Sequence, residues 1–283
     1  MRTAEPVTIV DQSNEVLPTA RQVGQVMAIG GAEDKFDDKL ILSTFVRLAG
    51  GRRARIAIIP TASSIEAAGE RYKAIFLGMG VDRADVAYIA SREDANSDVP
   101  GEILHDATGI FLTGGNQLRL SVLMGGTLAA QVIRERHETG AIIAGTSAGA
   151  SILSSHMVAF GASGGTPKQR MVQMVAGFGL IPDLIIDQHF RQRDRIGRLL
   201  AMVAANPGLI GVGIDEDTAF LTGQDGILEV VGRNSVTIVD GSHMYSDIFQ
   251  VKGHGGITVS DARLHILTPG RRFDLKRRKL LDV

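Results

Sequence analysis

The chain has 283 residues, 44% of them apolar, with 30 Lys and Arg against 31 Asp and Glu and a formal charge of −1. That is enough apolar material for a large core, and the balanced charge offers no global attraction to nucleic acid or to an anionic membrane. With no cysteine there is no disulfide, no thiolate–zinc site and no Cys nucleophile; with no Trp and 5% aromatics there is little from which to build a stacking platform.

Residues 1–22 carry Glu5, Asp11 and Glu15 and lack an uninterrupted apolar core, so they read as a polar leader and not as a secretory signal. No stretch reaches the roughly 18 apolar residues that a membrane span needs. The expectation is a soluble cytoplasmic protein with one α/β domain over residues 23–283.

From about residue 23 to 215 short apolar runs alternate with amphipathic segments. Val26-Met27-Ala28-Ile29 stops at Gly30-Gly31, and Arg55-Ile56-Ala57-Ile58-Ile59 stops at Pro60-Thr61. Between them Leu40, Ile41, Thr44, Phe45 and Leu48 share a helical face, with Asp37 or Asp38 as the expected N-cap and Gly50-Gly51 at the stop. Val86-Ala87-Tyr88-Ile89 and Gly109-Ile110-Phe111-Leu112 read as further strands, the latter ending in Thr113-Gly114-Gly115. Runs that are apolar throughout suit strands covered on both faces, so the expected fold is a doubly wound, mostly parallel α/β sheet. Ligands gather at the carboxyl ends of such strands, where these Gly-containing turns fall.

Ala141-Ile142-Ile143-Ala144 then runs directly into Gly145-Thr146-Ser147-Ala148-Gly149, a G-x-S-x-G pattern. One reading is a nucleophile elbow, with the Ser147 hydroxyl lifted out of a strained turn and the Ala148 N–H beside it. The other is a Gly-rich turn whose Ser caps a helix. Downstream, Gly161 to Thr166 is either a loop that closes over a ligand or a plain connector.

A Ser nucleophile needs a base. Of the seven histidines, His189 stands out: it follows Leu184-Ile185-Ile186 within Asp187-Gln188-His189-Phe190, where a strand gives way to a helix. His137 sits in a charged helical run, and His105, His156, His243, His254 and His265 carry no comparable context. Ile196, Leu199, Leu200 and Val203 form the core stripe of the next helix, whose start is crowded by Arg191, Arg193, Arg195 and Arg198. Arginines there oppose the helix dipole. They are either a solvated face paired with Asp194 or a set of guanidinium forks for carboxylates, and the adjacent His favours the second. Gly213-Ile214-Asp215-Glu216-Asp217 offers three carboxylates to orient the imidazole, and spacing does not choose among them. The final stretch reads as antiparallel strands extending the same sheet: Gly226 to Val231 and Ser235 to Val239 as a hairpin around Gly232-Arg233-Asn234, then Leu264 to Leu267.

Taken together these pieces resemble the cyanophycinase family of the peptidase E-like serine peptidases. The matching segments are Gly30-Gly31-Ala32-Glu33-Asp34-Lys35, Phe111-Leu112-Thr113-Gly114-Gly115-Asn116-Gln117, Gly145 to Ala150, Asp187 to Phe190 with Arg193, Arg195 and Arg198, and Gly213 to Ala219. The resemblance covers about residues 25 to 220 and implies a fold like that of class I glutamine amidotransferases. It implies Ser147 as nucleophile, His189 as general base and Glu216 as the orienting acid, with the N–H groups of Gly115 and Ala148 as the oxyanion hole. Gln117, Asp187, Gln188, Arg193, Arg195 and Arg198 would line the substrate site. The implied substrate is cyanophycin, an aspartate polymer bearing Arg on each β-carboxyl, cut to β-Asp-Arg dipeptides by a homodimer without metal or cofactor. The first loop departs from the family in reading Gly-Gly-Ala where a third Gly is common. The competing readings are an α/β-hydrolase esterase using Asp215 or Asp217 with His243 or His254, an aspartyl dipeptidase, and a catalytically silent binding protein.

Overall fold

Strands that are apolar along their length need cover on both sides, and a sheet of five parallel strands, four of them almost wholly buried, lies at the centre of this protein. The computed structural model describes residues 23–281; the expected leader over 1–22 lies outside the described residues. The strands are Val26–Ile29 (β1), Arg55–Ile59 (β2), Arg83–Val86 (β3), Gly109–Leu112 (β4), Ile142–Thr146 (β5), His156–Gly161 (β6), Val172–Ala176 (β7), Leu184–Asp187 (β8) and Ile210–Ile214 (β9). They continue as Thr218–Thr222 (β10), Ile227–Gly232 (β11), Val236–Asp240 (β12), Tyr245–Ser246 (β13), Val259–Ser260 (β14), Arg263–Leu267 (β15), Arg272–Asp274 (β16) and Lys279–Leu281 (β17). The helices are Leu40–Leu48 (α1), Ala68–Gly78 (α2), Asp98–Asp106 (α3), Gln117–Met124 (α4), Leu128–Glu138 (α5), Ala148–Ser151 (α6) and Ile196–Ala205 (α7).

The large sheet has nine strands in the order β17-β16-β11-β10-β1-β5-β4-β2-β3. Strands β1 to β5 pair in parallel, whereas β10, β11, β16 and β17 extend the sheet antiparallel. Side chains alternate across each strand. Met27 and Ile29 pack on one face with Phe45, Phe76 and Phe111, while Val26 and Ala28 pack on the other with Ile110 and Ile143. The first face is aromatic, with Phe111 edge-on to Phe76 at 5.3 Å and to Phe45 at 5.5 Å between ring centres. Each such buried Phe contributes roughly 2–3 kcal/mol of hydrophobic stabilisation.

A second sheet of four strands runs β15-β12-β9-β8. Here β8 and β9 are parallel, and β12 and β15 add antiparallel. The expected hairpin over Gly226 to Val239 is therefore corrected. Strand β11 pairs with β10 in the large sheet and β12 pairs with β9 in the small one, so the two never pair with each other. The turn between them is captured by the β9–β10 connector instead: Arg233 N–H donates to Asp217 O at 2.9 Å, Asn234 N–H to Thr218 Oγ1 at 3.0 Å, and Ser235 Oγ to Asp215 at 2.8 Å. Two connectors thus cross the seam between the sheets side by side.

Two local expectations also shift. The strand expected at Val86 ends there, and Tyr88 beyond it is exposed, because only Ala87 still donates to Ile58 O. Neither Asp37 nor Asp38 caps α1. The N-cap position is Lys39, with no side-chain cap bond; Asp34 instead orders the loop ahead of the helix, its carboxylate accepting from the N–H groups of Phe36, Asp37 and Lys39, which hold it well below the usual carboxylate range. Among the described residues no helix is long and apolar enough to cross a membrane.

Candidate active site

The G-x-S-x-G segment spans the end of β5 and the start of α6, at the carboxyl edge of the parallel strands. A Cβ on Gly145 would lie 2.0 Å from Gly149 O, and one on Gly149 would lie 2.3 Å from Leu112 O. The turn closes only because both positions lack a side chain. It leaves Ser147 at φ 52, ψ −110, a conformation that L-residues rarely adopt. The Ser147 side chain makes no helix-cap bond; its Oγ lies 2.9 Å from His189 Nε2. The helix-cap reading of this serine is not the one the fold adopts.

His189 reaches Ser147 from the other sheet. It lies two residues beyond the end of β8 with φ 47, its backbone N–H donating to Gly30 O at 2.8 Å. Its ring rests on Gly31, where a Cβ would come within 2.3 Å of Cε1. On the far side Nδ1 meets Glu216 Oε1 at 2.6 Å. Burial lowers the imidazole pKa from its ordinary 6.5; the bond to Glu216 pulls the other way, and Arg193 and Arg195 add to the lowering. At neutral pH the ring is therefore uncharged.

The three carboxylates that spacing left equivalent take different jobs. Glu216 meets the imidazole, its N–H donating to Gln192 Oε1 at 3.1 Å and its carbonyl accepting from Asn234 Nδ2 at 2.8 Å. Asp215 turns inward to accept from Arg191 N–H and from Ser235. Asp217, at φ 49, ties down the first loop: its N–H donates to Gly31 O at 2.9 Å and its Oδ1 accepts from Asp34 N–H at 2.9 Å. Neither His243 nor His254 is a partner of Ser147, and the His265 ring lies tilted against Phe273, 4.9 Å between ring centres.

The arginines divide into two groups. Arg191 and Arg193 lie exposed in a 3₁₀ turn before α7, whereas Arg195 and Arg198 turn inward and are buried. Arg198 grips the fully buried Asp187 with both prongs of its guanidinium, with Nε at 2.6 Å from Oδ2, and reaches Gly161 O at 3.2 Å. Arg195 bonds Asp187 at 3.3 Å together with the backbone and side chain of Gln188, and its Nε is buried without a partner among the described residues. Burial lowers the Arg195 pKa to about 10, which still leaves it charged at neutral pH. Gln117 donates its amide to Val158 O at 3.0 Å and Ala159 O at 2.9 Å, fastening α4 to β6. The Gly161 to Thr166 segment is tied to the α7 region, since Gly164 N–H donates to Asp194 O at 2.6 Å.

Of the two expected oxyanion donors, Ala148 adjoins the serine in the chain and Gly115 follows the residue that packs against it. A Cβ on Gly114 would touch Ser147 Cβ at 3.3 Å, so the Gly114-Gly115 turn runs against the elbow, and Ala148 is the next residue after Ser147. One buried group here was missed in the sequence. Glu33 is 3% exposed and accepts from Tyr72 Oη and from Thr146 Oγ1, the latter at 2.6 Å. Its partners lie 39 and 113 residues away, and local spacing carries no signal of either.

The model of peptidase family S51 matches residues 26–230. The chain belongs to peptidase family S51. Within reach of that family it is 45% identical over 261 residues to a cyanophycinase of Trichormus variabilis, covering 91% of this chain and 88% of that one. It is 42% identical over 254 residues to a cyanophycinase of Geminocystis herdmanii, covering 89% and 93%. The fold is shared with a peptidase from an acI-B1 Actinobacterium, at a TM-score of 0.66 and 24% identity over 90% of this chain and 98% of that one. The central parallel sheet with its antiparallel extension is thus an S51 fold.

Proposed function

We propose that this S51 peptidase degrades cyanophycin through an acyl-enzyme on Ser147. The observation that carries the reading is the continuous path from Ser147 Oγ to His189 Nε2 at 2.9 Å and from His189 Nδ1 to Glu216 at 2.6 Å, in a chain whose relatives are cyanophycinases. Ser147 Oγ attacks an aspartyl backbone carbonyl carbon as His189 Nε2 takes its proton. The carbonyl oxygen becomes an oxyanion facing the N–H groups of Gly115 and Ala148. Collapse breaks the C–N bond, and His189 returns the proton to the departing amine. Water then attacks the acyl-enzyme by the same route, and the product leaves as a β-Asp-Arg dipeptide. Glu216 holds the imidazole in the tautomer with hydrogen on Nδ1 and stabilises the imidazolium as it forms.

The six expected substrate residues share the work unequally. Arg193 is exposed beside His189 and suits direct contact with an aspartyl carboxylate. Arg195 and Arg198 are buried against Asp187 and Gln188 and support the site from behind, while Gln117 holds α4 against β6 at its edge.

Incubating the purified protein with insoluble cyanophycin at neutral pH and weighing the soluble products by mass spectrometry tests this. β-Asp-Arg should dominate, and Ser147→Ala should abolish it by roughly 10⁴-fold or more while the polymer still binds. Substantial residual turnover by Ser147→Ala would remove the serine from its role. Intact polymer alongside cleavage of short aspartyl peptides would move the substrate instead.

A further inference from the structure

The loop leaving β1 touches the segments that carry Ser147, His189 and Glu216. Gly30 O receives the N–H of His189, Gly31 O receives the N–H of Asp217, and Asp34 N–H reaches Asp217 Oδ1. The fourth contact concerns the nucleophile and runs through Glu33. Its carboxylate is nearly inaccessible to solvent, and a charge at that depth is costly unless donors surround it. Three do: Tyr72 Oη on Oε1, Lys35 Nζ at 3.0 Å on Oε1, and Thr146 Oγ1 at 2.6 Å on Oε2. Burial, then the charge of Glu33, push the Tyr72 phenol up, so it stays a donor at any working pH.

Tyr72 alone would peg the loop onto α2, and Lys35 belongs to the loop itself. The third sits on the residue immediately before Ser147. A backbone at φ 52, ψ −110 persists only where its surroundings over-determine it. Here the restraints come from β1 and its loop: Ser147 N–H donates to Ile29 O at 2.9 Å, and the preceding side chain is fastened to Glu33. We propose that Glu33 is a positioning residue for the reaction, acting through Thr146 to hold the strained elbow where Ser147 Oγ meets His189. This rests on Ser147 being the nucleophile.

Thr146 gives the clean test, because Thr146→Val keeps the shape and loses the hydroxyl, whereas Thr146→Ser keeps the hydroxyl. The full-length variants, with Glu33→Gln and the double variant Glu33→Gln/Thr146→Val, are compared for thermal unfolding, for kcat and KM on cyanophycin, and for the rate at which an aspartyl diphenyl phosphonate labels Ser147. Thr146→Val should lower kcat and the labelling rate together by about 30- to 100-fold with KM within about threefold. Thr146→Ser should stay within about threefold of the parent. Glu33→Gln should match Thr146→Val, and the double variant should be no slower than either, as for two ends of one bond. Wild-type kcat per labelled site in Thr146→Val, equal losses in Thr146→Val and Thr146→Ser, or additive losses in the double variant would each overturn the proposal. Should Glu33→Gln not fold, the two Thr146 variants decide alone. Failure of the parent to label at Ser147 would strike the nucleophile reading itself, whereas a labelled parent with an equally fast Thr146→Val strikes only this one.

Discussion

Gly31→Ala is the sharpest probe of how the base is held. The new Cβ would stand 2.3 Å from His189 Cε1 and 2.6 Å from Nε2, whereas ordinary contact begins near 3.4 Å, so the ring must retreat by about 1 Å. It has little freedom to do so. His189 is itself at φ 47, with its N–H tied to Gly30 O and its Nδ1 to Glu216. A displacement of that size would lengthen the 2.9 Å Ser147–His189 contact beyond hydrogen-bonding range, which costs about 100-fold in rate. Alanine at φ 101 adds backbone strain of about 1–2 kcal/mol, well below the 5–15 kcal/mol that stabilises an ordinary domain. The variant should therefore fold and be slow. Initial rates of β-Asp-Arg release, with circular dichroism melts on the same preparation, measure both. A folded variant within about threefold of wild-type kcat would refute the claim that the imidazole is seated on the Gly31 backbone.

The pH profile follows from the lowered His189 pKa: the neutral, base-competent ring persists below the ordinary 6.5, so kcat/KM should be flat at pH 7 and fall only at a midpoint below 6.5. An acid limb centred above 6.5 would contradict it. Glu216→Gln removes the group that raises that pKa, so the limb should move further to acid while the plateau drops by roughly 10²- to 10⁴-fold through loss of the tautomer lock; an unchanged plateau would exclude Glu216. Arg198→Met strips a buried carboxylate of its fork and should cost about 3–5 kcal/mol in urea unfolding, far more than an exposed-arginine control such as Arg193→Met.

The central sheet was legible because burial on both faces writes an unbroken apolar run, as at Val26 to Ile29 and Gly109 to Leu112. The serine was legible because a close-packed turn demands glycine at both Gly145 and Gly149. What stayed hidden was the consequence of tertiary choice. Residues 226–239 have the pattern of a hairpin, yet hydrogen bonds from their turn to Asp215, Asp217 and Thr218 outcompete the local pairing. Crowded arginines signal carboxylates without saying whose, and Arg198 found one in its own chain at Asp187. Glu33 stands in a Gly-rich loop motif, and its distant partners come from β5 and α2, which no local pattern encodes.

The twin crossing between the sheets has a further consequence for when this enzyme can be active. Glu216 is pinned by Asn234, and the bend that carries it is stitched to residues 233–235. A ribosome that has released residues up to 216 has made every member of the Ser–His–Glu set, yet the brace that aligns them has still to emerge. A chain truncated before β11 and β12 carries all three side chains but lacks the contacts from residues 233–235 that complete the hold on the Glu216 bend.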